Sequence, residues 1–291
     1  MIRPRPKNIS KTTQSRLDDL QEKVNVQATF QEKIAKAQSL WKSRNSSNTG
    51  KTAFEEIKET LIKMYISEEE VCPYCEHNEA GDIEHISPKS FFPNKTFKWK
   101  NYLLACKECN TGYKLDKCFV LTPSGDVIYV ERGKKPPYQT TAFINPRMED
   151  PNRFLMLNME DFKFELMPEL NKKDENKARK TLEILQLNNR GVLVKGRERA
   201  AEIHYERMER LVQILNSKTL PELKSNLTPF DRRFDFTQDL TTIKSEIKAS
   251  YKHKIQIYPH PSVWYAIKKI SSVTDDDWKK LFAQIPEALT W

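Results

Sequence analysis

The chain has 291 residues, with 49 Lys and Arg against 40 Asp and Glu, a formal charge of +9, and hydrophobic residues at 38%. That apolar content supplies a core and excludes a disordered chain. No run approaches the ~18 apolar residues of a membrane span, and no apolar stretch follows Arg3 and Arg5 as in a signal peptide, so a cytoplasmic protein without membrane association is expected. Only 7 glycines and a charged fraction of 31% predict long solvated helices, and the excess of base fits a polyanionic partner such as nucleic acid.

The expected fold class is α+β, mostly helical. From the N-terminus, Ser15 and Asp18 stand at capping spacing, and Leu17, Leu20 and Val24, then Phe30, Ile34, Ala37 and Trp41, follow, each set at steps of three and four. They read as the core seam of a helical arm. Ser43 to Gly50 breaks it, and a second helix follows, with Thr52 and Glu55 as its cap and Phe54, Ile57, Leu61 and Met64 on one face. From Val71 to about Lys117 helical periodicity is lost. Phe119 to Val130 predicts a hairpin around Pro123-Ser124-Gly125, and Glu131 to Pro151 a loop. The remainder reads as helix, with Ala178, Leu182 and Leu185 on one element and Ala201, Tyr205, Met208, Val212 and Leu215 on a long one. Further helices carry Leu240, Ile243, Ile247 and Tyr251, and then Trp278, Leu281 and Phe282, the last one capped by Thr274 and Asp277. His204 borders the seam of the long helix and reads as a packed surface residue. Three regions are expected: an N-terminal helical region over 1–70, a metal-containing core with its hairpin and loop over 71–150, and a C-terminal helical region over 151–291.

The irregular segment carries the chemistry. Four of five cysteines form two doublets, Cys72-Pro-Tyr-Cys75 and Cys106-Lys-Glu-Cys109, with 30 residues between them. In a reducing compartment such pairs point to metal or redox chemistry, and a redox site needs only one doublet. Two knuckles supply four thiolates to one tetrahedral ion, and soft sulfur favours zinc or an iron–sulfur centre over magnesium. A structural Zn²⁺ is expected at Cys72, Cys75, Cys106 and Cys109, with Cys118 a buried apolar thiol outside the set. Between the doublets, Asp82-Ile83-Glu84-His85-Ile86 reads as a short strand, in which Glu84 and His85 face opposite sides unless a bulge turns them together. Asn101 and Asn110 flank the second doublet. Phosphodiester hydrolysis needs an imidazole to take a proton from water, oxygen ligands for a hard divalent cation, and a group that fixes the imidazole's orientation.

Cys72-x₂-Cys75, Asp82-Ile83-Glu84-His85-Ile86, Asn101-Tyr102-Leu103-Leu104-Ala105-Cys106-x₂-Cys109-Asn110 and Lys114 resemble the HNH (ββα-metal) nuclease family. The resemblance implies a zinc-stapled ββα-metal core and places Glu84 and Asn110 on a catalytic Mg²⁺ or Mn²⁺. It makes His85 the residue that activates water and Asn101 the one that holds the catalytic loop. Asn110 stands where His is also found and Glu84 where Asp is commoner, with Asp82 an alternative ligand. The longer strings Cys72-Pro-Tyr-Cys-Glu76, Ile83-Glu-His-Ile-Ser-Pro-Lys-Ser90 and Trp99-Lys-Asn-Tyr-Leu-Leu-Ala-Cys106, with Asn145-Pro146-Arg147 to Asp150-Pro151 and the Leu185 to Arg199 region, are similar to the HNH component of Septu-type anti-phage systems, including retron-associated ones, which implies an ATPase protein partner. Ser87 departs from the Arg-Pro-Lys usual there.

Lys89 to Lys117 holds seven lysines and two acids, +5 of the chain's +9. Lys89, Lys98, Lys100 and Lys114 are the candidate phosphate contacts. Arg3, Arg5, Lys7, Lys11 and Arg16 form a basic arm. No base-reading helix is evident, and DNA is preferred over RNA on the resemblance alone. The leading expectation is a metal-dependent DNA endonuclease. The competing one is a non-catalytic zinc-knuckle adaptor or nucleic-acid-binding subunit, which has no need of Glu84, His85 or Asn110.

Overall fold

The computed structural model describes residues 1–65, 71–231 and 234–291. Residues 66–70, where the N-terminal helical region is expected to end, lie outside the described residues. The chain divides into two compact units, one of Met1–Met156 with Phe164–Arg190, the other of Leu157–Lys163 with Gly191–Trp291.

The first unit opens with α1 (Lys11–Asn25), α2 (Phe30–Lys42) and α3 (Asn48–Ile62). The expected single arm is thus two helices. Ser10, not Ser15, caps α1 by accepting from the Thr13 N–H, and a reciprocal capping box between Thr29 and Glu32 starts α2. The six-residue step from Val24 to Phe30 leaves the helical phase at the break, and the box satisfies N–H groups that only a helix start leaves unpaired. Ser47 caps α3, five residues ahead of the expected Thr52. Leu17, Leu20, Val24, Phe54, Ile57 and Leu61 are buried where α1 packs on α2 and α3.

β1 (Asp82–His85) and β2 (Tyr102–Ala105) pair antiparallel, with Asp82 opposite Ala105 and His85 opposite Tyr102. A wide helical turn, Glu108–Lys114, follows directly. The expected hairpin forms from β3 (Phe119–Leu121) and β4 (Val127–Tyr129), and Cys118 lies in its apolar cluster with Phe91, Phe92, Val120 and Val130. There burial pushes the thiol up to about 12. β5 (Leu155–Leu157) and β6 (Phe164–Leu166) make a further two-stranded sheet inside the stretch read as helical. Strands of three residues are too short to show a period of two. α4 (Lys172–Leu185) is capped by Asn171 and ends on Gln186 in the left-handed conformation.

The second unit contains α5 (Gly191–Asn216), α6 (Leu220–Ser225), α7 (Leu240–Gln256) and α8 (Pro261–Ala266). A π turn (Ile267–Ser271) and α9 (Ser272–Thr274) then lead to α10 (Asp276–Gln284). α5 packs on α7, α8 and α10, burying Met208, Leu211, Ile214, Ile243, Ile247 and Phe282. Asp275 caps α10. The chain is therefore α+β with small sheets, and among the described residues no helix is long and apolar enough to cross a membrane.

His204 is not on the surface. It is fully buried between Tyr258 and Trp264, with neither ring nitrogen hydrogen-bonded among the described residues, and burial and Arg207 lower its pKa to about 3. The unfolded chain titrates near ~6.5 and binds the proton first, so stability falls as pH drops through ~6.5 toward the folded value. Between pH 7 and 5 this single group accounts for about 2 kcal/mol. Urea unfolding at the two pH values should show that much less acid destabilisation in His204→Leu than in the native chain. An unchanged difference would remove His204 as the cause.

Candidate metal centre and active site

The first knuckle is closed by its own backbone: Val71 bridges Glu79, the Cys72 N–H donates to the Asn78 carbonyl at 2.8 Å, and Glu76 turns the chain at φ 61°. The second begins the helical turn, with the Cys109 N–H donating to Cys106 Sγ at 3.4 Å. The four buried sulfurs lie within 4.8 Å of one another, and Cys75 Sγ is 3.9 Å from Cys106 Sγ. A tetrahedral zinc with Zn–S near 2.3 Å sets its sulfurs about 3.8 Å apart, so the cluster fits that ion. Hydrogen bonds from Cys109, Cys72 and Cys75 push the Cys106 thiol far down, while burial raises Cys72. Asn78 Nδ2 donates to Glu108 Oε2 at 2.9 Å. Arg190, buried, donates to Cys109 Sγ at 3.3 Å, pairs with Glu108 and lies over the Tyr113 ring. Against the pull of its own burial, Cys109, Cys75 and Glu108 hold its pKa above the ordinary range. Arg190 thus supplies positive charge beside a thiolate cluster. Nothing in the local sequence around Arg190 marks its partner 81 residues away.

His85 is buried at the end of β1, its ring edge-on to Trp41 at 4.3 Å and to Tyr102 at 5.3 Å. Its Nε2 lies 3.1 Å from the Thr96 carbonyl. A carbonyl oxygen only accepts, so Nε2 carries the proton and Nδ1 presents a lone pair. Burial, Lys89, Lys114 and Arg44 keep the imidazole well below its usual pKa, opposed only by the Thr96 bond. Among the described residues no hydrogen bond joins the Asn101 and His85 side chains. The Asn101 Oδ1 accepts from the Ser87 N–H at 2.8 Å, and its Nδ2 donates to the Ser87 and Lys95 carbonyls at 3.1 and 2.9 Å, stapling both ends of the loop that presents Thr96. Gln21, buried on α1, holds the same loop by donating to the Pro93 carbonyl and accepting from the Phe97 N–H. Sequence reasoning missed it because a lone glutamine on a helix carries no signal of a partner more than 70 residues away.

Glu84, His85 and Asn110 line one cleft of about 450 Å³. Strand alternation would separate Glu84 from His85. Ile83, Glu84 and His85 all reach the cleft, so it follows the unpaired edge of β1, where both faces contribute. Burial raises the Glu84 pKa against the pull of Lys114. Lys114 is buried too: its Nζ lies 2.5 Å from Glu84 Oε1 and donates at 3.0 Å to the His85 carbonyl. Of the other candidate lysines, Lys89 lines the cleft, Lys98 is exposed with Asp18 3.7 Å away, and Lys100 is exposed. Asp82 is exposed at the far end of β1 and does not line the cleft. Gln38, Trp41 and Arg132 do line it. Trp41 was legible only as a core position, and Arg132 only as part of a loop. A carboxylate and a free side-chain amide are hard oxygen donors, the type that suits Mg²⁺ or Mn²⁺.

No protein-family model matches the chain, and no solved structure matches it. One curated protein, Septu protein PtuB of Bacillus thuringiensis, is 25% identical over 183 residues, 59% of this chain and 58% of that protein. The chain therefore spans little more than half the length of this curated relative, to which it is distantly similar.

Proposed function

We propose that the chain is a metal-dependent HNH endonuclease that hydrolyses phosphodiester bonds of DNA, as the effector of an anti-phage defence system working with an ATPase partner. The similarity to Septu protein PtuB supports the defence role. One observation carries the chemistry: the imidazole of His85 is fixed through Nε2 by Thr96, and its ring shares a cleft with Glu84 and Asn110. His85 accepts a proton from water at Nδ1, and the Thr96 carbonyl stabilises the positive charge this creates. Asn101 is a positioning residue that keeps Thr96 in place. Glu84 and Asn110 would hold Mg²⁺ or Mn²⁺, whose charge stabilises the scissile phosphate and the departing oxygen. Lys89 and Arg132 offer cations to the substrate backbone. Zinc at Cys72, Cys75, Cys106 and Cys109 has no open position and is structural.

The test is cleavage of supercoiled plasmid with Mg²⁺ or Mn²⁺, by the native chain alone and with its ATPase. His85→Ala should lose about 10²–10⁴-fold in rate while keeping a cooperative melt. Equal nicking by both proteins would remove His85 as the base. A native chain that cuts under neither condition overturns the nuclease in favour of a zinc-knuckle adaptor.

Metal analysis should find one zinc per chain, and Cys106→Ser should lose both the zinc and the cooperative melting of the first unit. Native-like melting of that variant would show that the cluster is not a structural metal site. Asn101→Ala leaves the Ser87 N–H and two carbonyls unpaired, so it should be destabilised by about 1–3 kcal/mol and should cut more slowly. A variant as stable and as fast as the native chain would separate Asn101 from the loop.

A further inference from the structure

The second unit carries a groove of about 670 Å³ whose chemistry is opposite to that of the rest of this basic chain. Phe162, Tyr205 and Trp278 give it an aromatic lining, with the Tyr205 and Trp278 rings edge-on at 5.3 Å. Glu202 and Glu206, one turn apart on α5, line it as exposed carboxylates, and among the described residues neither has an ion-pair or hydrogen-bond partner. Asp275 lines it as well. Slight burial and the carboxylates of Asp277, Glu209 and Asp275 raise the Tyr205 hydroxyl's pKa. Lys280 opposes them but is bound to Asp277 at 2.8 Å. An independent feature points to a ligand: Ser271, 5% exposed, lines the groove, and its hydroxyl has no partner among the described residues.

An aromatic groove edged by unpaired carboxylates repels phosphate and attracts a cation that has an apolar stem. We propose that it docks a segment of a partner protein through an arginine side chain. The guanidinium stacks on Tyr205 and donates to Glu202 and Glu206, which match its planar fork better than a lysine ammonium would need. The methylene stem lies against Phe162 and Trp278, and the Ser271 hydroxyl meets the segment's backbone. The groove belongs to the second unit alone, so this docking does not depend on the chemistry proposed for the first.

The probe is a fluorescein-labelled peptide of alternating arginine and leucine, titrated with the full chain and read by anisotropy. Glu202→Gln with Glu206→Gln, both at exposed positions, should leave the melting temperature unchanged and weaken binding roughly tenfold. Tyr205→Leu should weaken it as well, and a peptide with glutamate in place of arginine should not bind. Equal affinity of the native chain and the double variant overturns the proposal. So does a finding by sedimentation that the peptide dissociates a dimer of the chain, which would make a second copy the occupant.

Discussion

Four sulfur atoms drawn from two places 30 residues apart must meet within 4.8 Å, and the first unit is arranged around that requirement. Bringing Cys106 back to Cys75 makes the intervening chain double over, and the pairing of β1 with β2 is the form the return takes. Because the second knuckle opens directly into the turn Glu108–Lys114, the same closure carries Asn110 and Lys114 to the edge of β1, where Glu84 and His85 stand. A cluster that touches no substrate therefore sets the positions of the groups that line the cleft. The neighbourhood of Arg190 follows from the same constraint, since thiolates gathered in a buried site need compensating charge.

The loop beside the cleft is held by buried side chains that bond to its backbone. Thr96 contributes only a carbonyl, yet that oxygen accepts from His85 at 3.1 Å and from the Tyr102 hydroxyl at 2.8 Å. Its position is fixed from one side by Asn101 and from the other by Gln21 of α1. Away from water, breaking any one of these bonds leaves an unpaired group, so the loop has little freedom to drift and the imidazole little freedom to turn. α1 and α2 belong to this scaffold: Gln21 holds the loop, and Trp41 packs against the His85 ring.

What the sequence disclosed follows from how local each signal is. The cysteine quartet was legible because knuckle spacing is a property of a few neighbouring residues, and the large helices because their apolar faces repeat over many turns. The break between α1 and α2 was missed although both of its marks are local, the six-residue step from Val24 to Phe30 and the Thr29 and Glu32 pair. β5 and β6 were missed because three residues cannot display an alternation. Gln21, which holds the Thr96 loop, and Arg190, which stands beside the cysteine cluster, each join residues more than 70 positions away, and no spacing rule connects them. His204 was misplaced because its position at the border of an apolar seam does not reveal that Tyr258 and Trp264 close over it.

The charge count shows the same limit from another side. Seven lysines between Lys89 and Lys117 suggest a continuous phosphate-binding surface, but folding commits several of them elsewhere. Lys114 is buried and neutralised by Glu84, Lys98 faces Asp18, and Lys95 lies over the Phe92 ring and donates to the Gln139 carbonyl. Lys89 remains in the cleft, joined by Arg132 from outside the counted segment, itself shared with Asp116. A polyanion gains from the cations that face it and can exchange their counterions, and a sum over the sequence does not distinguish these from cations already paired. The local +5 is thus partly internal: its most deeply placed member stabilises the buried carboxylate beside the catalytic imidazole proposed above, and only the remainder is free to face a backbone of phosphates.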